Sequence, residues 1–376
     1  MHNRINAIKG MAILLIVAFH AIGLYPFASL FFTTYRKLVF PESIPNISEL
    51  IPPIHGLKDV IVAVLSIVGG SGYQGVNVFI ITSGLVLTLS FFRKEIKLRQ
   101  WYLRRAERVL PMYWLSLFII FVLSQGVHIY YTYPPQTSPI AMILQILCLH
   151  VLVPKFFHGV NGPLWYIGLL FQLYLIFPFL IKLFNRWNPS QIFICSVLIT
   201  AVFRLVGLYG IYEFHPYFAH GAFFMCRLAE FVFGIAFAFH IQNRTESWID
   251  PLRRLAIPLY LCGILLHCSK LTTALSDTVI GISLFLILWS LVHHLSSLVL
   301  DCFAFLGRHS LGIFLFHFPL LRPAYELLSQ LGISNQYLIY CLMVVVVAAC
   351  GTVIDMAIDE IQKAVTRFFA RKSPAP

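Results

Sequence analysis

Apolar residues in this chain come in blocks of about twenty, separated by short polar connections, with neither strand-like alternation nor a single helical stripe. A block of that length matches the ~30 Å hydrocarbon core of a bilayer. Such blocks lie near 5–25, 64–92, 108–127, 163–183, 190–212, 219–241, 255–271, 276–298, 304–327 and 336–358, which predicts ten membrane-spanning helices. An eleventh block, 139–153, is short for a crossing and is expected to be re-entrant or interfacial, with its backbone satisfied against protein. The expected fold is all-α, a polytopic helical membrane protein filling residues 1–376 as one domain. Basic residues precede the first block, as they do in a signal peptide. No small-x-small cleavage site follows His20, however, and many further blocks come after it, so a retained first span is expected.

Composition agrees: 59% of the 376 residues are hydrophobic, only 11% are charged, and mean hydropathy is +0.83. A soluble domain carries about twice that charge. The formal charge of +12 raises the question of nucleic acid, and the placement of the basic residues answers it. With ten spans and both termini cytoplasmic, 19 of the 27 basic residues fall on the cytoplasmic side, including the cluster Arg93 to Arg108 and the tail Lys363 to Lys372. Six fall outside, and Arg204 and Arg227 lie within spans. A crossing at 139–153 would invert every later loop, so the positive-inside bias favours ten spans, a basic cytoplasmic tail at 359–376, and no nucleic-acid partner. The eight cysteines are scattered through apolar runs without a CxxC pair, which suits small buried hydrophobes and predicts neither a disulfide framework nor a metal site. The longest polar stretch, 26–58, is Pro-rich and expected to face out.

Four stretches carry candidate chemistry. In KGMAILLIVAFH, Lys9 and His20 are eleven residues apart, so they share one helix face and stand ~16 Å apart along the axis. Lys9 alone suits a snorkelling anchor and His20 a packed histidine, but ionisable groups inside a membrane commonly line a site. In LRQWYLRRAERVLPMYW, Arg104, Arg105 and Arg108 open a span. Arg104 and Arg108 share a face, and forked guanidiniums suit phosphates as well as topological anchoring. In GGSGYQGVNVFIITSG, the glycines permit close helix packing, and Asn77 and Ser83 bring polar groups into the membrane. In NGPLWYIGLLFQLYLIFP, Trp165 fits an aromatic belt, Tyr174 follows it, and Gln172 is buried by position and needs a partner. Arg227 and Glu230 sit mid-span at i, i+3 as an ion pair or a site, and His309 and His317 follow. Walker, GxSxG, HExxH and dinucleotide motifs are absent, which argues against P-loop pumps, serine hydrolases and zinc proteases.

Taken in order, these stretches resemble the acyltransferase 3 family of integral membrane acyltransferases over about residues 4–320. Lys9 and His20 match the family's Arg-x10-His pattern with lysine in the arginine position. Gly75 to Gly84 matches GVxxFFxxSG, and Arg104, Arg105, Arg108 and Pro111 match RRxxRxxP. Trp165 and Tyr174 keep the spacing of WSLxxExxFY, with Leu170 where the acid would stand, and Ser310 and His317 match Sx6H. The resemblance implies a bacterial inner-membrane enzyme that moves an acyl group, usually acetyl, from cytoplasmic acyl-coenzyme A to a sugar hydroxyl of an envelope or secreted glycan. Acyl-CoA is then a co-substrate and no cofactor is bound permanently; the glycan, free or lipid-linked, and the bilayer are the other partners. Lys9, Arg104, Arg105 and Arg108 would hold the donor's phosphates. His20 would act as general base or as an acetylated nucleophile, with Asn77, Ser83 or Gln172 donating to the oxyanion. Trp165, Tyr174, Arg227, Glu230 and His317 would be substrate-facing or structural polar groups. Arg204, Arg227 and Glu230 would equally suit a transporter or flippase of a lipid-linked glycan or acyl donor. Such proteins are built on internal repeats, and none is visible.

Overall fold

A computed structural model describes residues 1–23, 56, 70–92, 97–126, 138–210, 218, 221–243, 248–266, 269 and 271–372, and the side chains of 124–126, 243 and 365 on are not among them. The expected outer loop 26–58, Gly56 apart, lies outside the described residues, as do Arg93, Lys94, Arg244 and Lys270. The described residues are helical, with no strand. In chain order the helices are α1 (His2–Gly23), α2 (Gly75–Phe91), α3 (Leu98–Gly126), α4 (Pro139–Ile146), α5 (Trp165–Phe184), α6 (Pro189–Tyr209) and α7 (Leu228–Asn243). Then come α8 (Ile249–Arg254), α9 (Ala256–Leu266), α10 (Thr273–Leu291), α11 (Ser297–Arg308), α12 (Ser310–Gln330) and α13 (Gln336–Lys372).

Among the described residues, eight helical segments are long and apolar enough to cross a membrane, or nine if the bent pair α11–α12 makes one span. The count expected from the sequence was ten. At the expected span 255–271 the described helix is α9, of 11 residues, and residues 267, 268 and 270 lie outside the described residues. Segment 139–153 forms the eight-residue α4 and then 3-10 turns at His150–Leu152 and Pro154–Phe156. Its backbone is tied to α3: the Tyr113 hydroxyl donates to the Gln145 carbonyl (2.8 Å) and the Trp114 indole to the Ile146 carbonyl (2.9 Å).

Helices that are apolar all round belong in lipid or inside the protein. The latter holds for α2 and α7, which pack on each other at the centre beside α1. The peripheral α6 inverts the soluble pattern. Ile194, Leu198, Val202 and Val206 recur at four-residue spacing on its exposed face, while Ser196, Thr200 and Arg204 are buried. α1 is gripped at backbone distance from two sides. A methyl group added at Gly307 of α11 would collide with the Asn6 carbonyl, and one at Gly72 with the Leu15 carbonyl, so only glycine permits these approaches.

Two further devices shape α12. It turns by 74° from α11 at His309. Asp355 of α13 holds the bend: its carboxylate accepts from the Gly312 amide at 3.0 Å and lies 2.6 Å from His309 Nδ1. Lower down, Pro319 has no N–H to offer the Leu315 carbonyl. The buried Asn161 amide supplies the missing donor at 3.1 Å, fixing the loop before α5 to α12.

Candidate active site

A cavity of about 130 Å³ opens among α1, α2, α3, α5 and α12. Lys9, Arg105, Arg108 and Tyr174 line one part of it. Ser83, Leu170, Phe79, Tyr166 and Phe314 line the rest, and Ser310 also borders it. On α5 alone the lining runs from Tyr174 through Leu170 to Tyr166, eight residues or ~12 Å of axis. The cavity is therefore a slot along the helices with a cationic end and an aromatic end. At the aromatic end the Tyr166 and Phe314 ring centroids are 5.2 Å apart.

The sequence placed Arg104 with Arg108, and the helix selects a different pair. Arg105 and Arg108, at i, i+3, line the slot, and i, i+3 residues share a face as well as i, i+4 residues do. Arg105 is half-buried, with its guanidinium over the Trp101 ring at 5.7 Å. Arg104 is exposed, and its Nε donates to the Gln100 carbonyl at 3.2 Å.

His20 lies beyond the aromatic end and does not line the slot. Its Nδ1 is 3.0 Å from the Ile16 carbonyl and 3.2 Å from Nε2 of His317. His317 is fully buried, and its Nδ1 is 2.7 Å from the Phe314 carbonyl. The Phe314 ring, 5.6 Å from the His317 ring, is thus the partition between slot and histidines. Phe19 and Phe318 meet His20 edge-on. Among the described residues no group of three or more His, Cys, Asp or Glu is arranged to hold a metal.

Of the expected oxyanion donors, Ser83 lines the slot; Asn77 and Gln172 are engaged elsewhere. The Gln172 amide donates to the Ala222 carbonyl (3.0 Å) and accepts from the Phe224 amide (3.2 Å), stapling α5 to the segment before α7. Trp165 packs over the small apolar cluster of Val151, Phe157 and Ala222. Asn77 belongs to a buried charge network. Its carbonyl accepts from Arg227 Nη1 at 2.7 Å, and its amide donates to the Asp277 carbonyl and to the Gln74 side chain. Asp277 of α10 is the hub. It receives Arg204 at 2.5 Å, Arg227 at 3.4 Å, the Gln74 amide at 2.6 Å and the Tyr73 hydroxyl at 3.0 Å. Glu230 lies 3.5 Å from Arg227 and accepts from Thr278 at 3.2 Å. Two cations and two anions buried in hydrogen-bonding geometry make a neutral lock among α2, α6, α7 and α10, the arrangement in which buried charge is tolerable.

Comparison with known proteins follows the same outline. The profile of a family described as an acyltransferase domain matches residues 2–355, and the chain belongs to this family, acyltransferase 3. It is similar to the peptidoglycan O-acetyltransferase OatA of Listeria monocytogenes serovar 1/2a, at 24% identity over 319 residues. That alignment covers 73% of this chain and 50% of the relative, so the chain spans about half the length of the curated relative it matches. No solved structure matches it.

Proposed function

We propose that this acyltransferase moves an acyl group, acetyl in the first instance, from cytoplasmic acyl-coenzyme A to a sugar hydroxyl of a cell-envelope or exopolysaccharide glycan, with both chain termini in the cytoplasm of a bacterium and the helices in its inner membrane. The observation that carries the reading is the slot. A cationic end at Lys9, Arg105 and Arg108 continues along the helices into an uncharged, largely apolar bore that ends against the ring covering the histidine pair. An acyl-CoA has the same asymmetry, a polyanionic nucleotide followed by a thin neutral arm ending in a thioester. Its phosphates would meet the guanidiniums, which favour bidentate contacts to phosphate. Its thioester would approach Phe314, and displacement of that ring would present it to His20.

In the reaction the sugar oxygen attacks the thioester carbon while His20 takes the hydroxyl proton, a step worth roughly 10²–10⁴-fold to a positioned base. The tetrahedral oxyanion would be met by the Ser83 hydroxyl, which borders the bore. Collapse breaks the carbon–sulfur bond, the ester stays on the sugar, and the thiolate recovers the proton from His20. Leu170, where the family pattern has an acid, keeps the bore uncharged.

The test is release of free thiol from acetyl-CoA by purified protein in lipid discs, with and without an acceptor: peptidoglycan fragments in one arm, exopolysaccharide oligomers in another. Thiol release that depends on the acceptor, with an O-acetyl ester on the product, supports the reading. Glycan movement across proteoliposomes without thiol release would replace it with transport.

A further inference from the structure

The hydrogen-bond geometry around His20 fixes which of its nitrogens is free to act. A carbonyl oxygen only accepts, so His317 Nδ1, 2.7 Å from the Phe314 carbonyl, carries a hydrogen. A fully buried ring with no anion against it among the described residues is neutral, so His317 Nε2 carries a lone pair. That lone pair faces His20 Nδ1 at 3.2 Å, which must therefore be the donor. The Ile16 carbonyl, 3.0 Å from the same nitrogen, demands the same hydrogen independently. Among the described residues the groups packed around the pair, on its own helices and on others, are neutral. Phe19 and Phe318 flank the His20 ring. Tyr340 of α13 donates to the Ala18 carbonyl, and Tyr73, beside Phe19, donates away to Asp277. Among the described residues no carboxylate contacts either ring.

We propose that His317 is a positioning residue. Together with the Ile16 carbonyl it holds His20 as the Nδ1–H tautomer and so presents Nε2 as the base, a neutral imidazole doing what a carboxylate does for most catalytic histidines. This rests on His20 being the base in the function proposed above. The role is electronic as well as geometric. When His20 Nε2 takes the hydroxyl proton, its Nδ1–H becomes an imidazolium donor, and its bond to His317 Nε2 becomes charge-assisted. No backbone carbonyl shared with a helical amide provides as strong an acceptor. Because the partner is neutral, the pair carries one positive charge after proton transfer, which favours return of that proton to the departing thiolate.

The experiment compares the full-length enzyme with His317→Leu, His317→Gln and His20→Ala in lipid discs. Leucine removes the imidazole acceptor and leaves His20 only the Ile16 carbonyl, whereas glutamine offers an amide oxygen to His20 and an N–H to the Phe314 carbonyl. Misplacing a catalytic tautomer costs up to about 10⁴-fold in kcat elsewhere. For His317→Leu we expect a loss of at least about 10²-fold in kcat with acetyl-CoA KM within about twofold, and for His317→Gln recovery to within about tenfold of wild type. Nitrogen-15 spectra of histidine-labelled protein, with His20 assigned from its loss in His20→Ala, should show a protonated Nδ1 and an unprotonated Nε2. A purely structural His317 would lower the yield of folded enzyme and leave kcat per folded molecule unchanged, which overturns the proposal. An Nε2–H signal for His20 in the wild type overturns it equally. An active His20→Ala enzyme overturns the base reading and this proposal together; an inactive His20→Ala beside a fully active His317→Leu overturns this proposal alone.

Discussion

Replacing the three arginines of α3 one at a time by glutamine separates a donor site from a surface charge. Arg105 and Arg108 line the slot, while Arg104 is exposed and turned back to the Gln100 carbonyl. A hydrogen bond to a charged group contributes about 1.5–3 kcal/mol. Arg108 is exposed and Arg105 half-buried, so water competes for both and the lower end applies. About 1.5 kcal/mol is roughly tenfold in Kd. Arg105→Gln and Arg108→Gln should each weaken acetyl-CoA binding by about that factor. Arg104→Gln loses only a solvent-screened attraction, at most about 1 kcal/mol, or under about fivefold. Titration calorimetry with a non-hydrolysable thioether analogue of acetyl-CoA measures this directly in micelles. The Debye length falls from ~30 Å at 0.01 M salt to ~8 Å at 0.15 M, so raising salt across that range should weaken the wild type more than either slot variant. Arg→Lys at 105 and 108 keeps the charge and loses the fork, and should recover only part of the affinity. Equal losses at all three positions would refute the reasoning, because they would mean a diffuse field and not a site. Unchanged affinity at 105 and 108 would remove both from donor binding.

Other consequences are equally direct. Asp277→Ala leaves Arg204 and Arg227 buried with Glu230 alone and should cost about 3–5 kcal/mol, read as a lowered unfolding temperature in detergent, with part of the loss recovered when Arg204→Met is added. Phe314→Ala removes the partition at the end of the bore and should raise the rate with butanoyl-CoA relative to acetyl-CoA, measured as a ratio of kcat/KM values. Gly307→Val drives a branched side chain into the Asn6 carbonyl; overpacking of this kind costs at least about 1–3 kcal/mol, and should show as loss of monodisperse protein on gel filtration.

The helices were legible because a hydrocarbon-length apolar block has few other uses, and where the expected spans are described they are helical for most of their length. The slot was half legible. Lys9, Ser83, Arg105 and Arg108 were visible as polar residues on apolar helices, yet periodicity places each residue on its own helix and is silent about which helices adjoin. Asn77 therefore read as an oxyanion donor and is found tied to Arg227. Asp277 went unnoticed at the head of an apolar run, although a lone acid between Ser276 and Thr278 was a usable signal, since Glu230 was one acid for two membrane arginines. The pairing of His20 with His317 joins residues 297 positions apart, which no local pattern encodes.

The backbone grip on α1 makes the first helix a fixed ruler. Glycine contacts at Asn6 and at Leu15 hold it at backbone distance from its neighbours at two levels. The interval from Lys9 to His20 is then set by residue count alone. A side-chain change at an outward position between them alters nothing in that interval, whereas one inserted residue would swing His20 by ~100° and carry it ~1.5 Å along the axis, away from His317. Tolerance in this helix is thus a matter of length more than of composition. A donor with a shortened arm faces the same constraint from the other side, since the interval from Lys9 to His20 does not shorten to meet it.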